Sequence, residues 1–102
     1  MKKFKITNSQ GVVAEFPAHL VANSRAHYYA SVDFNQEADP DGWKGGFQHE
    51  FDYTLSDDDE LLDWAANNMN WEDVADEAVI VHTPEIERDM ADAWGEFEIV
   101  SE

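Results

Sequence analysis

The stretch Phe47-Gln48-His49-Glu50-Phe51-Asp52-Tyr53-Thr54-Leu55 decides how this chain is read. Its odd positions are Phe, His, Phe, Tyr and Leu, and its even positions are Gln, Glu, Asp and Thr. Strict alternation over nine residues predicts a half-buried β-strand, apolar on one face and acidic on the other. On that reading His49 is a hydrogen-bonded histidine on the core face.

Working outward, residues 33–46 combine Asp33, Asn35, Glu37, Asp39 and Asp41 with Pro40, Gly42, Gly45 and Gly46. Proline and repeated glycine punctuate regular structure, so this stretch is expected to be an irregular loop, with Trp43 exposed on it. Upstream, Phe4 and Ile6 alternate with lysines, Asn8-Ser9-Gln10-Gly11 has turn chemistry, and Val12, Ala14 and Phe16 alternate again, which predicts a hairpin. Pro17 suits a first helical position, and residues 18–31 carry a helical face of Leu20, Val21, Ser24, Ala26 and Tyr28.

Downstream, Ser56 with Asp59 three residues later suggests a capped helix carrying Leu61, Leu62, Trp64, Ala65, Ala66 and Met69. Asn70 suggests a second cap before a short helix from Trp71 to Ala75. Val79-Ile80-Val81 is a short strand. Thr83-Pro84 starts a helix through Trp94, Gly95 stops it, and residues 96–100 form a last strand. The order β-β-α-β-α-(α)-β-α-β predicts a single α+β domain, residues 1–102. Its mixed or antiparallel sheet has about five strands, with three or four helices.

Composition limits the function. The chain has 102 residues, 43% hydrophobic and 13% aromatic, and no cysteine, so it can fill one core and offers no disulfide or thiolate chemistry. No apolar segment resembles a signal or membrane span, and a cytoplasmic location is expected. The net charge is −17, and it is uneven: residues 1–32 carry Lys2, Lys3, Lys5 and Arg25 against Glu15 alone. Residues 33–102 carry every other acid against Lys44 and Arg88. Such a surface repels phosphate, so direct nucleic-acid binding is not expected.

No reaction is announced. The run Asp57-Asp58-Asp59-Glu60 fits acids in the first turn of a helix better than a metal cluster. Glu37, Asp39, Asp41 and Gly42 match the first, third, fifth and sixth places of a calcium loop, but Gln48 stands where a bidentate Glu is required. His19, His27, His49 and His82 form no metal-binding spacing, and no serine lies in a nucleophile elbow. No catalytic residue, metal or cofactor is assigned. Tyr28, Tyr29 and the tryptophans other than Trp43 are expected in the core.

Glu85, Asp89 and Asp92 recur every three or four residues along the expected helix, and Glu96 comes next. Helical rise spaces such carboxylates by roughly 5–6 Å, of the order of a nucleotide step. Glu50 and Asp52 extend the array, and Asp57, Asp58, Asp59, Asp63, Glu72 and Asp73 add to the acidic surface, with Trp43 as an aromatic anchor.

In size, lack of cysteine, charge over residues 33–102, and acid–aromatic mixing at Trp64, Trp71-Glu72-Asp73 and Asp92-Ala93-Trp94, the chain resembles the small acidic DNA-mimic inhibitors of phages and mobile elements. Anti-restriction and anti-CRISPR proteins are among these. The resemblance implies a non-enzymatic inhibitor whose partner is a basic, nucleic-acid-binding protein, and it transfers no individual functional residue. The mildly basic residues 1–32 depart from a uniformly acidic mimic. The competing expectations are an acidic interaction domain with another kind of partner and a surface adapted to high salt. A small calcium-binding domain or an enzyme ranks behind them.

Overall fold

The computed structural model describes residues 1–82 and 90–101. Strands β1 (Lys2–Thr7) and β2 (Val13–Pro17) form the expected hairpin, with Phe4 opposite Phe16 and Ile6 opposite Ala14. Asn8 closes it. Its side-chain oxygen accepts from the amides of Gln10 and Val12, each at 2.9 Å, and Gly11 takes φ +85°, a value a side chain would resist. Strands β3 (Val79–His82) and β4 (Glu98–Ser101) complete a four-stranded antiparallel sheet in the order β3-β2-β1-β4. One sheet face supplies Phe4, Ile6, Ala14 and Phe16 to the core, all buried.

Helix α1 (His19–Asp33) comes directly after β2. Pro17 is the last residue of β2 rather than the start of the helix, and Ala18 stands at the N-cap without a side-chain bond. Val21 and the row Ala22, Ala26, Ala30 are buried. Small residues at i, i+4 and i+8 let a second helix approach closely.

That second helix is the main correction. Residues 47–55 are not a strand: they belong to helix α2 (Pro40–Ser56). The loop expected over 33–46 shrinks to a short connection between Asp33 and Pro40. Asn35 organises it by accepting from the amides of Glu37 and Ala38 at 2.9 and 3.0 Å. Asp39 caps α2, its carboxylate accepting from the Gly42 amide at 3.1 Å, and Pro40 takes the first helical position. The alternation is ambiguous because every second apolar residue of a strand is also an i+4 row of a helix. Trp43, Phe47 and Phe51 stack in succession, with ring centroids 5.4 and 5.9 Å apart. His49 and Tyr53, which only a strand would have turned inward, are exposed.

Gly42 and Gly46 do not break α2, because they make room on it. A Cβ at Gly46 would lie 2.8 Å from the Phe34 ring and one at Gly42 2.9 Å, whereas Gly45 faces open space. Gly45→Ala is therefore expected to raise stability by about 0.5–1 kcal/mol through helix propensity. Gly46→Ala, which must push the Phe34 ring aside, is expected to give a net loss of about 1 kcal/mol. Paired urea denaturation curves check the difference in sign.

Helix α3 (Asp58–Asn68) is capped by Asp57, not Ser56. The Asp57 carboxylate accepts from the amides of Asp59 and Glu60 at 3.0 and 3.4 Å, while the Ser56 hydroxyl donates back to the Tyr53 carbonyl at 2.8 Å. Asn70 forms the expected cap as a reciprocal box with Asp73, but it opens two single 3-10 turns, Trp71–Asp73 and Ala75–Glu77, in place of a short helix. The expected helix from Pro84 lies largely outside the described residues. Its C-terminal part is only a 3-10 turn, Ala91–Ala93, behind a buried Met90. The result is α+β, with three helices and four strands among the described residues.

The main core lies between the sheet and helices α1 and α3, where Leu61 and Ala65 meet Phe4, Phe16, Val21 and Ala22. Trp94 closes it, stacking on Phe16 at 5.7 Å and donating its indole N–H to the Ala65 carbonyl at 2.9 Å. The body measures 50 × 24 × 19 Å with a radius of gyration of 15.1 Å. A compact chain of this length has about 13 Å, so the protein is elongated.

Candidate functional site

The six cations are few, and three of them hold the fold together. The Lys2 ammonium donates to the Asp58 carboxylate at 2.7 Å and to the Leu55 carbonyl at 2.8 Å, tying β1 to the α2–α3 junction. Lys3 faces Glu15 across the hairpin at 3.9 Å. Arg25, only 11% exposed, lies among all three helices. One guanidinium nitrogen donates to Glu50 and to the Thr54 hydroxyl, both at 2.9 Å, and another lies 3.4 Å from Glu60.

These contacts sort the acids picked out from the sequence. Glu50 is turned inward onto Arg25 and is not part of an outward array, which corrects its pairing with Asp52 on one strand face. Strand geometry would have put both carboxylates on one side; a helix separates them by about 200°, and Asp52 stays exposed, accepting from Gln48 at 2.9 Å. Asp57 is occupied as a helix cap, Asp58 as the partner of Lys2, and Asp73 as half of the Asn70 box. Asp59, Asp63, Glu72, Asp92 and Glu96 are exposed. Asp59 and Asp63 stand one turn apart on the outer side of α3, opposite buried Leu61 and Ala65. Glu85 and Asp89 lie outside the described residues, so the expected row of carboxylates along that segment has no described geometry.

Trp43 is not the loop anchor that the glycines around it suggested. It is half-buried between the helices, its indole N–H donating to the Ser31 hydroxyl at 3.1 Å and its ring meeting His27 edge-on at 5.4 Å. The aromatic surface lies elsewhere. Tyr28, Tyr29 and Tyr53, all three expected to face the core, are exposed. Tyr28, Tyr29 and the half-buried Trp64 touch one another with centroids 5.1 to 5.9 Å apart. Trp64 is fixed by its indole N–H, which donates to Ser24 at 3.1 Å. The adjacent Tyr28-Tyr29 pair is the one signal of this patch in the sequence, because neighbours on a helix cannot both face a single narrow core stripe.

Chemical sites are sparse. Among the described residues, no group of three or more His, Asp and Glu side chains is placed to hold a metal ion. The partial calcium-loop match falls on a helix start, with Asp39 used as its cap. One surface hollow, of about 360 Å³, is lined by Met1, Lys2, His19, Leu55 and Ser101, and its Lys2 ammonium is already engaged. No helix among the described residues is long and apolar enough to cross a membrane. Among the described residues, two surface features are open to a partner: exposed carboxylates around α3 and the turns after it, and a patch of tyrosines. Comparison with protein-family models, curated proteins and solved structures finds no match to this chain.

Proposed function

We propose that this protein is an acidic binding protein that occupies the nucleic-acid-binding surface of a basic protein, excluding the nucleic acid and inhibiting its partner without catalysis. The observation that carries the reading is the density of charge along a narrow body. A net charge of −17 on a length of 50 Å is roughly one charge per 3 Å of axis. Phosphates along one DNA strand are spaced by about 3.4 Å, and a duplex carries about twice that density. Inward use of Lys2, Lys3 and Arg25 leaves the excess carboxylates to the outside, where they steer a basic surface toward the protein.

The test is competition. A labelled duplex is bound to each of a panel of purified basic nucleic-acid-binding proteins, and the chain is titrated in. Displacement is expected from at least one of them, with an apparent affinity that weakens by more than about tenfold between about 50 and 200 mM salt. Duplex binding unchanged across the panel, or a bound partner whose DNA site stays free, overturns the reading.

A further inference from the structure

Four of the six exposed large apolar side chains among the described residues are Tyr28, Tyr29, Val32 and Tyr53, and they gather on the helical part of the molecule. Val32 lies one turn beyond Tyr28 on α1. Tyr29 and Tyr53 are joined by Arg25, whose guanidinium carbon lies 4.6 Å from one ring centroid and 5.4 Å from the other. Tyr28 and Trp64 continue the surface onto α3. The patch therefore runs from α3 across α1 to α2, and its single cation is answered by two carboxylates, Glu50 and Glu60.

This composition narrows the occupant. A second copy brings the same −17 charge, and nucleic acid brings phosphate, so both are repelled. A basic protein is attracted, and of its two common cations arginine suits the patch better. A guanidinium is planar, weakly hydrated and stacks on aromatic faces, whereas an ammonium holds its water and cannot stack. Arg25 already shows this surface accepting a guanidinium between tyrosines, with carboxylates behind it. We propose that the Tyr28–Tyr29–Tyr53–Trp64 patch receives an arginine side chain of the basic partner, stacked on the exposed ring of Tyr28. The proposal rests on the partner class proposed above and adds the residue chemistry by which that partner is recognised.

Arginine and lysine homopeptides of equal length test it, titrated against the full chain with tryptophan fluorescence as the readout. The arginine peptide is expected to bind more tightly by about two- to five-fold for each ring engaged. Tyr28→Leu, which keeps apolar bulk but removes the π face, is expected to shrink that preference, and Tyr28→Phe to keep it. Circular dichroism melts establish that both variants are folded. Equal affinity for the two peptides, a preference unchanged in Tyr28→Leu, or burial of the patch in a homodimer seen by sedimentation overturns the proposal. If duplex displacement by the wild-type chain persists with no arginine preference, the patch proposal alone fails. If displacement itself is absent, the proposed function fails.

Discussion

Replacing Arg25 by leucine is expected to lower the stability of the protein by about 2–3 kcal/mol. Removing one member of a buried ion pair costs about 3–5 kcal/mol, because the other charge is left without a partner. Here the figure falls lower, since Glu50 and Glu60 remain 25% and 35% exposed and can recover part of their hydration. The loss has three sources. Two carboxylates already brought together lose the charge between them, the buried Thr54 hydroxyl loses its donor, and Tyr29 and Tyr53 lose the cation that joins them. Arg25→Lys is expected to recover only part, because one ammonium cannot reproduce the fork that reaches α2 and α3 together. Urea denaturation of the three proteins measures this, and a loss below about 1 kcal/mol for the leucine variant would remove Arg25 from its central place.

Phe16→Ala is expected to cost about 3–5 kcal/mol, the range for deleting a buried aromatic side chain. Phe16 is 1% exposed and lies between the Phe4 ring at 5.1 Å and the Trp94 ring at 5.7 Å. It joins the hairpin to the segment that leads into β4. At about 4–8 °C per kcal/mol for a domain of this size, the melting temperature falls by more than about 12 °C. Near-ultraviolet circular dichroism tracks the same change through loss of Trp94 order. A melting temperature unchanged within a few degrees would show that the aromatic stack is not the centre of the core.

The two variants act on different parts. Phe16 secures the sheet and its covering helix, while Arg25 orients α1, α2 and α3 and with them the tyrosine patch. Loss of arginine preference in an Arg25 variant that remains folded is expected from the second role, because Tyr29 and Tyr53 are oriented through its guanidinium.

The hairpin is legible in the sequence because its signals are local: alternating residues on each side of an Asn-x-x-Gly turn, with Asn8 and Gly11 supplying the hydrogen bonds and the positive φ. The Asn70 cap is legible for the same reason. The helix at 40–56 is not, since its row at Phe47, Phe51 and Leu55 is common to strand and helix, and its glycines weigh against both. The Asp39-Pro40 pair is the local sign of a helix start, and Gly42, Gly45 and Gly46 outweigh it. Those glycines make sense only once Phe34 is seen lying against two of them.

The same division applies to the surface. The excess of acid, its beginning at Asp33 and the shortage of cations are properties of composition, and no folding can alter them. Which acids remain available was decided by tertiary contacts. Glu50 and Glu60 are drawn onto Arg25, which stands 25 and 35 residues away in the chain; Asp58 is drawn onto Lys2, and Asp57 onto the first turn of α3. Sequence alone determined that the chain would present negative charge and form an α+β domain. Only the packing of α1 against α2 and α3 decided where that charge points and that tyrosines stand beside it, because an ion pair or ring contact depends on distances that side-chain periodicity does not contain.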